Sequence, residues 1–354
     1  MNRNETSQIT IGNLKMGNTD HVIIQSMTNT KTSDITATVA QIKALEAVGC
    51  ELIRMAVADH EDAKAISEIK KQVSIPLIAD IHFDYTLAIE AIENGIDKIR
   101  LNPGNIDKKE HVAAVVECCK AHNVPIRIGI NSGSIPKDLV EEDGSVTVEN
   151  MMVAAKRHTS ILEEMDFYNI ALSFKCSDVN QTIEAYRLAS KTFNYPLHLG
   201  VTEAGTFFTS SIKSAIAIGS LLHDGIGNTL RVSVSGDPLE EIKIAKAILN
   251  SVGLLNHANL ISCPTCGRTR WDLIPLAKKM EDYLLTIPYP ITVAIMGCIV
   301  NGPGEAKHAD IGIAGGNHEG LLFKHGEIIR KIKEEEFEDV LKEEIQAIIK
   351  EKYQ

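Results

Sequence analysis

From residue 21 to about residue 250 one phrase recurs along the chain. A short run of β-branched and apolar residues is followed by a longer segment whose apolar positions fall at i, i+3, i+4 and i+7. The runs are HVIIQSM (21–27), ELIRMAV (51–57), PLIADIHF (76–83), KIRLNPG (98–104), PIRIGIN (125–131), NIALSFK (169–175), PLHLGVT (196–202) and TLRVSVS (229–235). Between them, ITATVAQIKALEAVGC and PLEEIKIAKAILNSVG carry the helical spacing. The first of these opens at a cap candidate, Asp34, and stops at Gly49. Eight strand–helix units without hairpin signals among them call for parallel strands joined by helical crossovers. They close most economically into an α/β (β/α)8 TIM-type barrel, usually about 250 residues long. An open doubly wound sheet is the rival, but it usually has fewer strands, and no GxGxxG follows the first run.

The pattern changes after the helix that ends near Gly253, so the expected division is a barrel over 1–253 and a second domain over 254–354. LLNHANLIS leads directly into Cys263. A helical pattern over 269–286, an apolar strand ITVAIM (291–296) and further strands near ADIGIAGG and EGLLFKHG indicate a small α+β domain. The closing stretch EIIRKIKEEEFEDVLKEEIQAIIKEKYQ reads as a helical region docked on its own sheet. Its apolar face is Ile329, Ile332, Phe337, Leu341, Ile345 and Ile348.

Composition narrows the function classes. Hydrophobic content of 44% and charged content of 23% are ordinary for a soluble globular protein. A formal charge of −11 argues against nucleic acid or an anionic membrane as partner, both of which need a basic field. No apolar run is long enough to span a bilayer, and MNRNETSQITIGNLKMGN lacks the apolar core of a secretory signal, so cytoplasm is the expected location. There the seven cysteines read as thiols or ligands before disulfides. Cys50, Cys118, Cys119 and Cys176 stand in apolar or helical contexts and read as small buried hydrophobes.

In a parallel barrel the side chains at the C-terminal strand ends line the active site. Those ends carry Arg54, Asp80 with His82, Arg100 with Asn102, Arg127 with Asn131, Lys175, His198 with Glu203, and Arg231 with Ser233 and Ser235. Four arginines and a lysine converging on one mouth must pair with acids or hold an anion. Guanidinium groups match phosphate oxygens in bidentate fashion, which indicates a phosphate or diphosphate pocket. NPGN (102–105) and SGD (235–237) would add exposed backbone N–H groups at helix N-termini. Glu203, in VTEAG, is the carboxylate in this basic mouth: a salt-bridge partner or a proton donor.

The last hundred residues hold three cysteines, in CPTCGR (Cys263, Cys266) and MGCIVNGPGE (Cys298). Three readings compete. Structural zinc wants a fourth ligand, which His308 would supply. A redox dithiol leaves Cys298 without a role. An iron–sulfur cluster suits a cysteine in a glycine-rich turn, and a [4Fe–4S] cluster with three thiolates leaves one iron for a weaker ligand. Glu305 is placed in sequence to be that ligand, with His308 and Asp310 as rivals.

QSMTNT, IADIHFD, KIRLNPGN, RIGINSGS, SFKCSD, GVTEAG, RVSVSGDP, SCPTCGR and GCIVNGPGE occur in fixed order along nearly the whole chain. In these motifs the sequence resembles the 4-hydroxy-3-methylbut-2-enyl diphosphate synthase family, the reductive iron–sulfur enzymes of the methylerythritol phosphate isoprenoid pathway. The resemblance implies a barrel followed by a ferredoxin- or sulfite-reductase-like cluster domain. It also implies a homodimer in which the cluster domain of one subunit closes over the barrel mouth of the other. By the same resemblance Cys263, Cys266, Cys298 and Glu305 ligate one [4Fe–4S] cluster per chain, with Glu305 exchangeable for substrate. Arg54, Arg100, Asn102, Arg127, Asn131, Lys175, His198, Arg231 and Ser233 meet the cyclic diphosphate, Asn301 meets it from the cluster side, and Glu203 transfers a proton. The implied reaction is the two-electron reductive opening and dehydration of 2-C-methyl-D-erythritol 2,4-cyclodiphosphate. Flavodoxin or ferredoxin would be the electron donor, with no nucleotide cofactor in the chain. Two other readings stand beside it: a phosphate-binding barrel lyase or isomerase with a zinc-stapled tail, and a non-enzymatic iron–sulfur redox sensor.

Overall fold

The computed structural model describes residues 2–82, 84–106, 108–299, 304 and 306–353. The chain forms two compact units, Met1–Leu254 and Leu255–Gln354. No helix among the described residues is long and apolar enough to cross a membrane.

Each of the eight β-branched runs contains a strand of one sheet. In chain order these are β3 (Ile23–Met27), β4 (Leu52–Ala56), β5 (Leu77–Asp80), β6 (Lys98–Arg100), β7 (Ile126–Asn131), β8 (Ile170–Lys175), β9 (His198–Leu199) and β10 (Thr229–Leu230). The sheet order is β8-β7-β6-β5-β4-β3-β10-β9, every pairing is parallel, and a bridge between Leu172 and Leu197 closes the ring. The crossovers are helices α1 (Ile35–Ala47), α2 (His60–Lys70), α3 (Tyr85–Glu93), α4 (Lys109–His122), α5 (Val148–Glu163), α6 (Val179–Thr192) and α7 (Phe207–His223), with α8 (Pro238–Ser251) after β10. Side-chain caps set most of their starts: Asp34, Asp59, Asp84, Thr147, Asp178 and Asp237 each accept a backbone N–H of the first turn. Such a cap is worth about 1 kcal/mol. Asp34 occupies the cap position that the sequence indicates.

The first residues form an unanticipated hairpin, β1 (Ile9–Ile11) with β2 (Leu14–Met16). Ile9, Ile11 and Met16 pack against Ile23, Leu52, Ile78 and Ala171 at the strand starts. The hairpin therefore stops the barrel at its N-terminal end with apolar side chains, which leaves the opposite end to polar chemistry.

The second unit is a mixed sheet ordered β11 (Asn259–Ser262), β12 (Thr292–Met296), β13 (Ile311–Gly315), β14 (Glu319–Lys324) and β15 (Glu327–Lys333). The first three strands are parallel and the last two antiparallel. One face is covered by helices α9 (Ile274–Leu284) and α10 (Phe337–Tyr353). Leu276, Met280 and Leu284 meet Phe337, Leu341 and Ile345 over Val293, Ile295 and Ile313 there.

Two sequence expectations are corrected in this unit. The stretch 327–333 is an edge strand, not helix: β-branched isoleucines pair with β14, while Glu327, Arg330, Lys331 and Lys333 blunt the free edge. Ile329 accordingly leaves the proposed apolar face and is 52% exposed, whereas Ile332, Phe337, Leu341, Ile345 and Ile348 are buried. The helix expected over 269–286 spans only Ile274–Leu284. Thr269 N–H is bonded to the Cys266 carbonyl and Arg270 N–H to the Gly297 carbonyl, which holds the preceding residues in a turn.

Candidate active site

Alternate residues along each barrel strand face inward. Toward the C-terminal ends this brings together Arg54, Arg100, Lys175 and Arg231, with Arg127 nearer the start of β7, and the buried carboxylates among the described residues that meet these cations are Asp80 and Glu241. Arg100, Arg127 and Lys175 are 7%, 1% and 7% exposed. Asp80 lies between two arginines, its Oδ2 3.7 Å from Arg54 Nε and its Oδ1 3.5 Å from Arg100 Nη1. Burial alone would raise the Asp80 carboxyl, but the Arg54 and Arg100 guanidiniums hold it below the usual carboxylate range. Burial pushes Arg54 down to about 10 despite Asp80, and it drives Arg127 and Lys175 well below their ordinary values, helped by neighbouring cations. The pocket is short of negative charge and lowers its energy by binding some.

Glu241, which sequence reasoning missed, anchors the last arginine from α8. Its carboxylate accepts from Arg231 Nε at 3.0 Å and Nη2 at 2.8 Å, from Ser26 Oγ at 2.8 Å and from the Val234 N–H at 3.3 Å. The signal was present as one buried-face carboxylate in PLEEIKIAK, but a helix pattern alone does not name its partner. Arg54 Nε and Arg231 Nη1 also donate to Met27 Sδ, at 3.0 and 3.5 Å.

The other proposed contacts differ in what the structure gives them to do. Asn102 spends its side-chain amide on the backbone of Gly129, donating to the carbonyl and accepting from the N–H, both at 2.9 Å. Asn131 ends β7 opposite Lys175. Ser233 is half-buried after β10, and its carbonyl accepts from Ser210 Oγ. His198 is wholly buried deeper in the barrel. His82 is at the rim, its Nδ1 3.3 Å from Arg100 Nη1. NPGN is not an open N–H cradle at a helix start, because α4 begins only at Lys109. Gly104 N–H donates to His158 Nδ1, and Asn105 N–H to the Asn102 carbonyl. Burial pushes that His158 imidazole down to about 4, which keeps it an acceptor. In SGD, Asp237 caps α8 and Ser235 N–H donates to the Gly205 carbonyl.

Gly200 sets where Lys175 lies. A Cβ there would be 2.8 Å from Lys175 Nζ and 3.0 Å from both its Cε and the Arg231 carbonyl. Because the Arg231 carbonyl limits how far the added Cβ can retreat, Gly200→Ala displaces the flexible end of Lys175. The loss of one charge-assisted contact of this kind is worth about 1.5–3 kcal/mol, so KM for an anionic substrate is expected to rise roughly 10-fold or more. Steady-state kinetics checks this, and an unchanged KM would remove Lys175 from the binding set.

Glu203 follows β9 at the same end of the barrel. It is exposed and carries a left-handed backbone, φ 52°. Its loop is pinned on both sides: Thr202 N–H donates to the Cys176 carbonyl, Ser235 N–H to the Gly205 carbonyl, and Val201 and Ala204 are buried against Ala217. A non-glycine residue held in this region of backbone space costs free energy that the surrounding packing must offset.

In the second unit Cys263 directly follows β11 and Cys298 follows β12, and the two strands are parallel neighbours in register at Ser262 and Ile295. Cys263 N–H donates to the Ile295 carbonyl. All three thiols are free. The Arg268 backbone N–H lowers the exposed Cys266 thiol toward thiolate. Thr269 Oγ1 accepts from Cys266 N–H at 3.0 Å, and Trp271 Nε1 donates to the Met296 carbonyl at 3.2 Å. The indole packs against Gly315, where any Cβ would collide with it. Among the described residues no three His, Cys, Asp or Glu side chains converge tightly enough to hold a single metal ion. Asn301 and Glu305 lie outside the described residues.

The barrel and its second unit have known relatives. The family model described as the GcpE TIM-barrel domain matches residues 6–246, and that of the GcpE protein C-terminal domain matches residues 259–347. The chain is 55% identical over 352 residues to the 4-hydroxy-3-methylbut-2-en-1-yl diphosphate synthase (flavodoxin) of Geobacillus thermodenitrificans, covering 99% of this chain and 94% of that one. It is 55% identical over 354 residues to the protein of the same name from Shouchella clausii, covering 100% and 96%. Among solved structures, a sulfonamide complex of Yersinia pestis dihydropteroate synthase superposes with a TM-score of 0.51 at 12% identity, over 70% of this chain and 99% of that one. At that identity it speaks for the barrel fold alone. With both of its domain models matched in order and relatives at 55% identity over nearly its full length, the chain belongs to the GcpE family.

Proposed function

We propose that this chain is an iron–sulfur oxidoreductase of isoprenoid synthesis. It opens and dehydrates 2-C-methyl-D-erythritol 2,4-cyclodiphosphate reductively, giving 4-hydroxy-3-methylbut-2-enyl diphosphate and water. The observation that carries the reading is the mouth itself: among the described residues five buried or half-buried cations face two buried carboxylates, with Glu203 exposed beside them, an imbalance that a diphosphate corrects. The name of the relatives, a diphosphate synthase with flavodoxin, narrows the anion and the electron donor. That kinship favours this reading over a zinc-stapled lyase or a redox sensor.

Within the reading, Arg54, Arg100, Arg127, Lys175 and Arg231 hold the phosphates. Arg127 brings two unpartnered donors, Nε and Nη2, and Asp80 and Glu241 keep their arginines oriented. Asn131, Ser233 and Asn301 complete the substrate contacts, Asn102 braces the strand beside them, and Glu203 delivers the proton that turns the departing hydroxyl into water. Cys263, Cys266, Cys298 and Glu305 are the proposed ligands of one [4Fe–4S] cluster. The donor set fits: three free thiols on loops at neighbouring strand ends, one of them lowered toward thiolate by backbone N–H groups. Bound there, the cluster supplies electrons one at a time. Flavodoxin as the donor, a homodimer as the assembly and the cytoplasm as the location belong to the same proposal.

Anaerobically purified protein is expected to contain iron and acid-labile sulfide at about four each per chain. It is also expected to turn over the cyclic diphosphate with reduced flavodoxin. Stoichiometric zinc without sulfide, persisting after reconstitution and without turnover, would overturn the reading.

A further inference from the structure

The functional reading uses the cations at the barrel mouth and leaves one beneath them without a role. Lys98 opens β6 two positions before Arg100, so the pleat turns both side chains the same way. Lys98 is fully buried and its Nζ has no hydrogen-bond partner. The side-chain polar atoms of Gln25, the Thr229 hydroxyl, both ring nitrogens of His198, and Arg127 Nε and Nη2 are likewise unpartnered and buried. The carboxylate oxygen buried with them, Asp80 Oδ1, lies 3.5 Å from Arg100 Nη1, so among the described residues its charge is already shared with an arginine.

The charged and titratable groups that act on Lys98 are Arg54 on β4 and Arg127 on β7, and Lys98 in turn acts on His198 on β9. Those neighbours meet the rest of the site: Arg100 on the same strand as Lys98, Asp80 on β5 and Tyr186 on α6 act on Arg127, and Arg231 after β10 and Glu241 on α8 act on Lys175 on β8. Asp80 and Glu241 are already engaged by Arg54, Arg100 and Arg231. An ammonium buried without a counter-ion is far costlier than a neutral amine. Burial, then Arg127 and Arg54, push Lys98 in that same direction. A diphosphate held at the level of Arg100 reverses the sign of the local field from roughly 7 Å away, two residues along a strand. His198 has the lower intrinsic proton affinity and lies among Lys175, Arg127 and Lys98, so the lysine is the first to regain a proton.

We propose that Lys98 is a neutral amine in the ligand-free barrel and takes up one proton from solvent when a diphosphate occupies the mouth. The step is protonation of a primary amine, with no bond to carbon or phosphorus made or broken. It rests on the diphosphate reading above. Because the bound form holds the extra proton, affinity falls as pH rises through the interval between the ligand-free and ligand-bound titrations of Lys98. Lys98 is thus a positioning residue. It lets the empty barrel tolerate its arginines and adds a positive charge under the ligand only when one is present.

Isothermal titration calorimetry of the holoenzyme in buffers of different ionisation enthalpy measures proton uptake directly, with the cyclic diphosphate and with inorganic diphosphate as ligands. Uptake of about one proton more in the native protein than in Lys98→Met is expected, the ligand's own protons cancelling in that difference. His198→Asn should keep the uptake. Lys98→Gln, also uncharged, serves if Lys98→Met does not fold. Binding of either ligand with equal uptake in native and Lys98 variants overturns the inference, as does uptake lost only in His198→Asn. If inorganic diphosphate binds with uptake and the cyclic diphosphate does not bind, the substrate assignment falls and the role of Lys98 stands. If neither binds, both fall.

Discussion

Glu203→Gln is expected to lower kcat by about 10²–10⁴-fold, the usual contribution of a positioned proton donor, while leaving the absorption spectrum of the cluster unchanged. Glutamine keeps the size of the side chain and the same backbone, so the loop remains pinned by Thr202, Ala204 and Ser235. What disappears is a transferable proton at one place. Substrate affinity should change little, since the phosphates are held by the arginines, and the effect should appear in kcat with KM nearly constant. Anaerobic steady-state kinetics with reduced flavodoxin separates the two constants. A variant that turns over at the native rate would remove Glu203 from the chemistry. A matching loss of iron would show that its role is structural.

Glu241→Leu is expected to destabilise the barrel by roughly 3–5 kcal/mol. That is the typical result of removing one partner of a buried ion pair and leaving the other charge behind. Glu241 is 2% exposed, and the Arg231 side chain it holds is 15% exposed, so water does little to relieve the orphaned guanidinium. Ser26 Oγ and the Val234 N–H lose their acceptor as well. At 2–4 °C per kcal/mol for a domain of this size, the melting temperature should fall by roughly 10 °C. A second outcome distinguishes the electrostatic cause from lost packing: inorganic diphosphate should restore more stability to Glu241→Leu than to the native protein, because it supplies the missing negative charge. Equal stabilisation of both proteins would mean that Arg231 does not face the anion.

The barrel was legible because its elements are local. A β-branched run followed by an amphipathic segment, repeated eight times, reports itself in a window of about 20 residues. All eight runs hold strands of one closed parallel sheet. The hairpin over Ile9–Met16 gave a weaker signal, since three-residue strands around Gly12 and Asn13 are too short for periodicity to register. The stretch 327–333 was misread for a related reason. EIIRKIK has apolar residues spaced well enough for a helix, and only the exposed backbone of β14 made strand the lower free-energy choice.

At the site, residue types were visible and their engagements were not. Arg54, Arg100, Arg127, Lys175 and Arg231 stood out as charges inside β-branched runs. Lys98 was missed, although it stands two positions before Arg100 on the same face of the same strand and that parity was a signal. Glu241 gave no comparable sign, because one carboxylate on an amphipathic helix looks like any other. Nor does the chain order say that Asn102 serves a glycine backbone, that Gly200 makes room for Lys175, or that Gly315 makes room for Trp271. The sequence by itself determined the elements, their order and the excess of positive charge at the strand ends, since these follow from pattern and from the register of a parallel barrel. The tertiary structure decided which of those charges are neutralised and which remain for a ligand. The free energy of a buried charge depends on the distance and depth of its partners in space, and those are settled only when the ring of strands closes.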